Sequence, residues 1–112
     1  MLYVFNAKIV PIALNYTRAL IEYKKLIVEE AKTLIREKKF ISAVGHTATA
    51  ELLSKLLDVE IPTNRITIEL HPGDEILCFG LRSRLPEGKV LSKEELDELE
   101  YDLVYYKIVN AL

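Results

Sequence analysis

Leu2-Tyr3-Val4-Phe5 is apolar at four consecutive positions and rich in strand-forming residues. A strand without a polar side has to be covered on both faces, so this segment suits the middle of a sheet. The rest of the chain must then supply both its neighbours and its cover. At 112 residues, half of them apolar, there is material for one such core, whereas two would each be marginal. A charged fraction of 29% with four Gly and four Pro excludes disordered, collagen-like and low-complexity classes. No internal repeat or linker divides the chain, so residues 1–112 read as a single domain.

The remaining elements follow from periodicity. Asn6 to Asn15 holds Pro11 and reads as a loop. Across residues 16–27, Ala19, Ile21 and Tyr23 alternate with Arg18, Leu20 and Glu22, which suggests a short strand, although helical spacing fits too. Ile27, Ala31, Leu34 and Ile35 mark the buried stripe of a helix that starts near Val28 and ends near Lys38-Lys39. Phe40 to Val44 is strand-like. A second helix begins at about His46, with Ala48, Leu52, Leu53, Leu56 and Leu57 as its buried side. Ile66, Ile68 and Leu70 alternate with polar residues as in a half-buried strand. The turn His71-Pro72-Gly73-Asp74 then predicts an antiparallel hairpin with Ile76 to Leu81. Ser92 and Glu95 form a capping box for a helix over 93–100, and Leu103 to Val109 is the closing strand. Strands interleaved with about three helices give an α/β fold around a mixed, mostly five-stranded sheet.

Several functions are disfavoured at once. A single cysteine, Cys78, closes no internal disulfide and points to a reducing, cytoplasmic setting. The apolar runs are too short for a membrane helix, and the N-terminus has no basic region or cleavage site of a signal peptide. A formal net charge of −2 argues against a duplex-binding protein, which usually carries a basic excess. There is no dinucleotide fingerprint, phosphate loop, Ser/His/Asp set or metal-ligand spacing, and no metal or cofactor is expected. The lack of Gln, with abundant Lys, Glu and Ile, hints at a heat-adapted source.

The residues with chemistry lie in four places. In Val44-Gly45-His46-Thr47, a strand stops, a glycine admits a close approach, and a histidine stands at the first turn of a helix. The unpaired amides and dipole of such an end attract a phosphate, and an imidazole there could donate a proton to a leaving oxygen. The plainer alternative is that His46 and Thr47 cap the helix. In Arg82-Ser83-Arg84-Leu85-Pro86-Glu87-Gly88-Lys89, two arginines could fork onto phosphate oxygens and Glu87 could orient one of them. A solvated loop with a weak surface pair is the alternative there. Asn64-Arg65 could contact phosphate, or Asn64 could close the turn after Pro62. Asn6 follows the first strand, where α/β proteins often hold ligands, yet loop asparagines commonly satisfy their own backbone. His71, in its turn, reads as exposed.

Taken together, Ser42-Ala43-Val44-Gly45-His46, Ala48-Thr49-Ala50-Glu51-Leu52-Leu53, Asn64-Arg65 and Arg84-Leu85-Pro86-Glu87-Gly88-Lys89 resemble the viral ring nucleases. These are small archaeal-virus anti-CRISPR enzymes directed against type III systems. Leu2 to Ala7 is similar to that family's first strand and loop. The resemblance implies a homodimer with a pocket between its subunits for cyclic tetra-adenylate, which the family opens without metal. It implies His46, Arg84 and Glu87 as the catalytic set and Asn6 as a ligand contact. Gly45, Thr47, Asn64, Arg65 and Arg82 complete the expected binding set. Some members carry a serine in the loop after the asparagine, where this chain reads Ala7-Lys8-Ile9. Either a hydroxyl contact to the ligand is missing from that stretch, or its backbone amides replace it. Two other functions compete with cleavage: a sponge that holds the ring without cutting it, and a viral DNA-binding or scaffold dimer.

Overall fold

The computed structural model describes residues 1–82 and 93–112. Its elements run β1 (Leu2–Phe5), β2 (Ala19–Leu26), α1 (Val28–Glu37), β3 (Phe40–Ser42), α2 (Thr47–Leu57), β4 (Glu75–Leu81), α3 (Lys93–Glu98) and β5 (Tyr101–Ala111). The five strands form one mixed sheet in the order β2-β5-β4-β1-β3. β1 lies between β3 and β4 and is parallel to both. β5 is antiparallel to β4 and to β2. The all-apolar first strand is therefore interior, and residues 19–26 are an edge strand with a register shift between Leu20 and Ile21.

The pleat divides the core into two layers. Leu2, Val4, Leu77, Phe79 and Leu103 meet Ala31 and Ile35 of α1 and Ala50, Leu53 and Leu57 of α2. On the opposite face Ile76, Cys78, Val104 and Ile108 are covered by Ile68, Leu70, Val10 and Ile12, which come from loops. Glu30 reaches back to the Ile27 amide at 3.1 Å to start α1, and Asp58, in a left-handed conformation, ends α2.

Three sequence expectations change. Residues 66–70 form no strand, and there is no hairpin with β4. Both flanks of β4 are taken, by β1 and by β5, so a hairpin partner has no edge to join. The segment lies across the sheet face instead, buries Ile68 and Leu70, and touches strand geometry only at an isolated Ile12–Leu70 bridge. Ile27 is exposed because it precedes the helix rather than lying on its stripe. Ala48 is exposed as well, since the buried line of α2 runs through Ala50. The Ser92 cap lies outside the described residues, and α3 ends at Glu98.

Candidate functional site at the carboxyl edge of the sheet

Because β1, β3 and β4 run parallel, their carboxyl ends share one edge of the sheet. The start of β5 and the end of β2 join them there by antiparallel pairing. This is the edge where open α/β sheets hold ligands. It gathers the loop Asn6–Ile9, the turn Val44–Thr47, the pair Asn64-Arg65, and Arg82. His71 sits at the opposite edge, before β4, where its Nδ1 lies 3.0 Å from the Tyr16 hydroxyl.

The His46 turn is built by a chain of hydrogen bonds. The Ser54 hydroxyl in α2 accepts from the Ile61 amide at 2.9 Å. Pro62 then accepts the Ser42 hydroxyl at 2.6 Å. The Asn64 side-chain amide donates to the Ser42 carbonyl at 2.7 Å, and its backbone amide to Val44 at 2.8 Å. Asn64 therefore fastens the segment after α2 onto the end of β3, and its amide nitrogen is committed to that bond. Arg65 follows directly and lies over Gly45: a Cβ there would stand 3.4 Å from Arg65 Cγ and 3.5 Å from Nε. The arginine stem thus packs at van der Waals distance beside the Gly45 backbone.

His46 has extended backbone angles at the N-cap of α2 and makes no side-chain cap hydrogen bond. Its carbonyl accepts the Ala50 amide at 3.0 Å, so the backbone alone performs the capping geometry. The imidazole is exposed, at the helix end whose first-turn amides are free, and Arg65 packs against the preceding Gly45. Thr47 is exposed too.

A second cluster lies along the same edge. Asp102, near the start of β5, receives Arg82 Nη2 at 2.8 Å and Nε at 3.4 Å. It also receives Lys8 Nζ at 3.1 Å and stands 3.6 Å from Lys25 Nζ. The hydrogen bonds from Arg82 and then Lys8 hold its carboxyl far below the usual carboxylate range, and Asp102 in turn raises the Arg82 guanidinium. Lys8 and Arg82, both expected as ligand contacts, are thus engaged with Asp102. Asn6 and Ala7 are half-buried at the end of β1, and Ile9 is exposed. Beside this cluster an open cleft of about 410 Å³ runs between the start of α1, the end of β2 and the start of β5. Arg84 and Glu87 lie outside the described residues.

Lys25, Asp102 and Gly80 were not singled out from sequence. Gly80 carried the available signal: a glycine inside an apolar strand marks a close approach of another group, here the stem of Lys8. Among the described residues no cluster of three His, Cys, Asp or Glu is placed to hold a metal ion. No helix there is long and apolar enough to cross a membrane.

Fold and site together define a small single-domain α/β protein with a polar, cation-bearing edge at its strand ends. A family model described as STIV B116-like matches residues 2–103, and the chain belongs to this family of small archaeal-virus proteins. It is 44% identical to protein 26 of Sulfolobus islandicus filamentous virus, over 98% of this chain and 93% of that one. It is 41% identical to ORF117 of Acidianus two-tailed virus, over 98% and 95%. YddF of Bacillus subtilis is 31% identical over 70% of this chain and 74% of its own length. The structure of B116 from Sulfolobus turreted icosahedral virus superposes with a TM-score of 0.85 at 24% identity, covering 95% and 97%. That likeness establishes the shared fold.

Proposed function

We propose that the protein is a metal-independent ring nuclease that opens cyclic tetra-adenylate as a homodimer and so interrupts type III CRISPR signalling in the host cytoplasm. The observation that carries this reading is the His46 side chain. It stands exposed at the first turn of α2 without a cap hydrogen bond, with Arg65 packed over the adjoining Gly45.

RNA supplies its own nucleophile. If the ring is held so that a 2′-hydroxyl lies in line with the departing 5′-oxygen, cleavage is an intramolecular displacement at phosphorus. The 2′-hydroxyl releases its proton to solvent and its oxygen bonds to phosphorus as the bond to the 5′-oxygen breaks. His46, protonated, delivers a proton to that 5′-oxygen, a role typically contributing about 10²–10⁴-fold. The free amides of α2 and Arg65 are available to stabilise the charge that gathers on the non-bridging oxygens, and the resemblance gives Arg84 the same role. The products carry 2′,3′-cyclic phosphates. In a two-fold dimer one histidine per chain cuts two opposite phosphates of a four-fold ring. A ligand with four charges needs only a few cations, in keeping with a net charge of −2.

A non-cleaving sponge is the second reading, favoured by the loop after Asn6. Lys8 is engaged with Asp102, and Ala7 and Ile9 carry no polar side chain. Incubation with labelled cyclic tetra-adenylate in EDTA separates the two. The nuclease gives linear fragments with cyclic phosphate ends, and a sponge returns the ring intact.

A further inference from the structure

Asp102 joins three parts of the chain that the sequence keeps far apart. Lys8 lies beyond β1, Lys25 is next to last in β2, and Arg82 directly follows β4; all three direct their cationic groups at this one carboxylate. The side chain of Asp102 is itself only 14% exposed, while its partners are 45–61% exposed. The fixed member is thus the carboxylate, and the long cationic side chains come to it. Arg82 is also held through its backbone, whose amide donates to the Glu100 carbonyl at 3.0 Å.

Gly80 makes the Lys8 arm possible. It pairs with Asp102 across β4 and β5. A Cβ on it would stand 2.7 Å from Lys8 Cε, 2.8 Å from Cδ and 3.0 Å from Cγ. The lysine stem therefore lies on the sheet face directly over Gly80, in the space a side chain there would fill, to reach Asp102. One end of this arrangement carries the loop Asn6–Ile9. The other end is Arg82, two residues before Arg84 in sequence.

From this geometry we infer that Asp102 is a positioning residue, which fixes the Asn6–Ile9 loop through Lys8 and the end of β4 through Arg82 in one relative placement, with Gly80 leaving the space for the Lys8 stem. The inference concerns how the proposed site is held and in that sense rests on the reading above. A carboxylate at this place touches no reacting atom. Its effect is on geometry, where misplacement of a site by about 1 Å can cost on the order of 100-fold in rate.

Three variants and two readouts test it. In the free protein, backbone ¹⁵N relaxation reports order at residues 6–9 and at Arg82. D102N is expected to lower order parameters at both places, G80A only at residues 6–9, with α2 unchanged in each. Single-turnover cleavage and calorimetric binding of cyclic tetra-adenylate then give the functional arm. D102N should cleave about 10- to 100-fold more slowly yet bind at least as tightly, because removal of the carboxylate leaves three cations unneutralised. Recovery of rate in D102E is expected. Order parameters unchanged from wild type in D102N would overturn the inference. So would a fall in affinity that accounts for the whole loss of rate. Should wild-type protein leave the ring uncut, the proposed reaction fails while the relaxation comparison still decides the role of Asp102.

Discussion

Replacement of Glu75 by Gln tests the energetics of the sheet's other edge. The Glu75 carboxylate is buried at 7% exposure. It accepts two bonds from Lys38 Nζ, at 2.6 and 2.9 Å, and one from the Tyr105 hydroxyl at 2.5 Å. Gln keeps the shape and one acceptor, which can still serve Tyr105. Its amide nitrogen replaces Oε2 and faces the Lys38 ammonium, donor against donor, so the 2.9 Å bond is lost and the bond to the shared Oε1 is no longer charge-assisted by the carboxylate. Lys38 is 47% exposed and can turn to water, which spares the cost of a stranded buried charge. The net loss is that of one hydrogen bond to a charged group, about 2 kcal/mol. Unfolding entropy scales with length, so for 112 residues this lowers Tm by about 8 °C.

The same substitution has a pH signature. Burial pushes the Glu75 carboxyl up, but the bonds from Lys38 and Tyr105 and the charges of Lys38 and Lys107 outweigh it and hold it below 4.5. A depressed carboxylate stabilises the fold above its unfolded value, and the contribution is lost as pH falls through the folded value. Urea unfolding of wild type and E75Q at neutral pH should differ by about 2 kcal/mol, and the gap should close as the medium is acidified past the carboxylate range. A gap that is negligible at neutral pH, or one that persists unchanged in acid, would refute the reasoning.

Two further outcomes are expected. Arg65→Ala should leave the melting temperature unchanged while weakening binding of cyclic tetra-adenylate by about 30-fold, the scale of one lost hydrogen bond to a charged group; calorimetry reads this directly. Cys78 is fully buried, burial raises its thiol to about 12, and its Sγ–H points to the Ile9 carbonyl. It should therefore resist a disulfide reagent at mildly alkaline pH in native protein and react at once in urea.

The interior position of β1 and both long helices were legible because single-segment patterns decide them: an unbroken apolar run, and stripes at helical spacing. The edge strand 19–26 was legible only as an alternation that helix spacing also fitted. Residues 66–70 misled for a physical reason. Alternating burial arises whenever an extended segment lies on a core, with or without a ladder, and whether β4 had a free edge depended on β1 and β5 pairing with it from far away in sequence. The His46 turn was visible as a local strand–glycine–helix junction, and its role as a mere cap was an open alternative. The structure assigns the capping to the backbone and leaves the imidazole exposed. Asp102 could not be read in the same way, since its meaning comes from three cations separated from it by 20 to 94 positions.

The most direct test pairs binding with chemistry at His46. Wild type and His46→Ala are each mixed in excess over labelled cyclic tetra-adenylate with EDTA present, and ring affinity is measured on the same samples. The variant should keep the fold and bind the ring about as well as wild type, with single-turnover cleavage slower by about 10²–10⁴-fold. Cleavage by His46→Ala at the wild-type rate would remove the proton donor on which the proposed reaction stands.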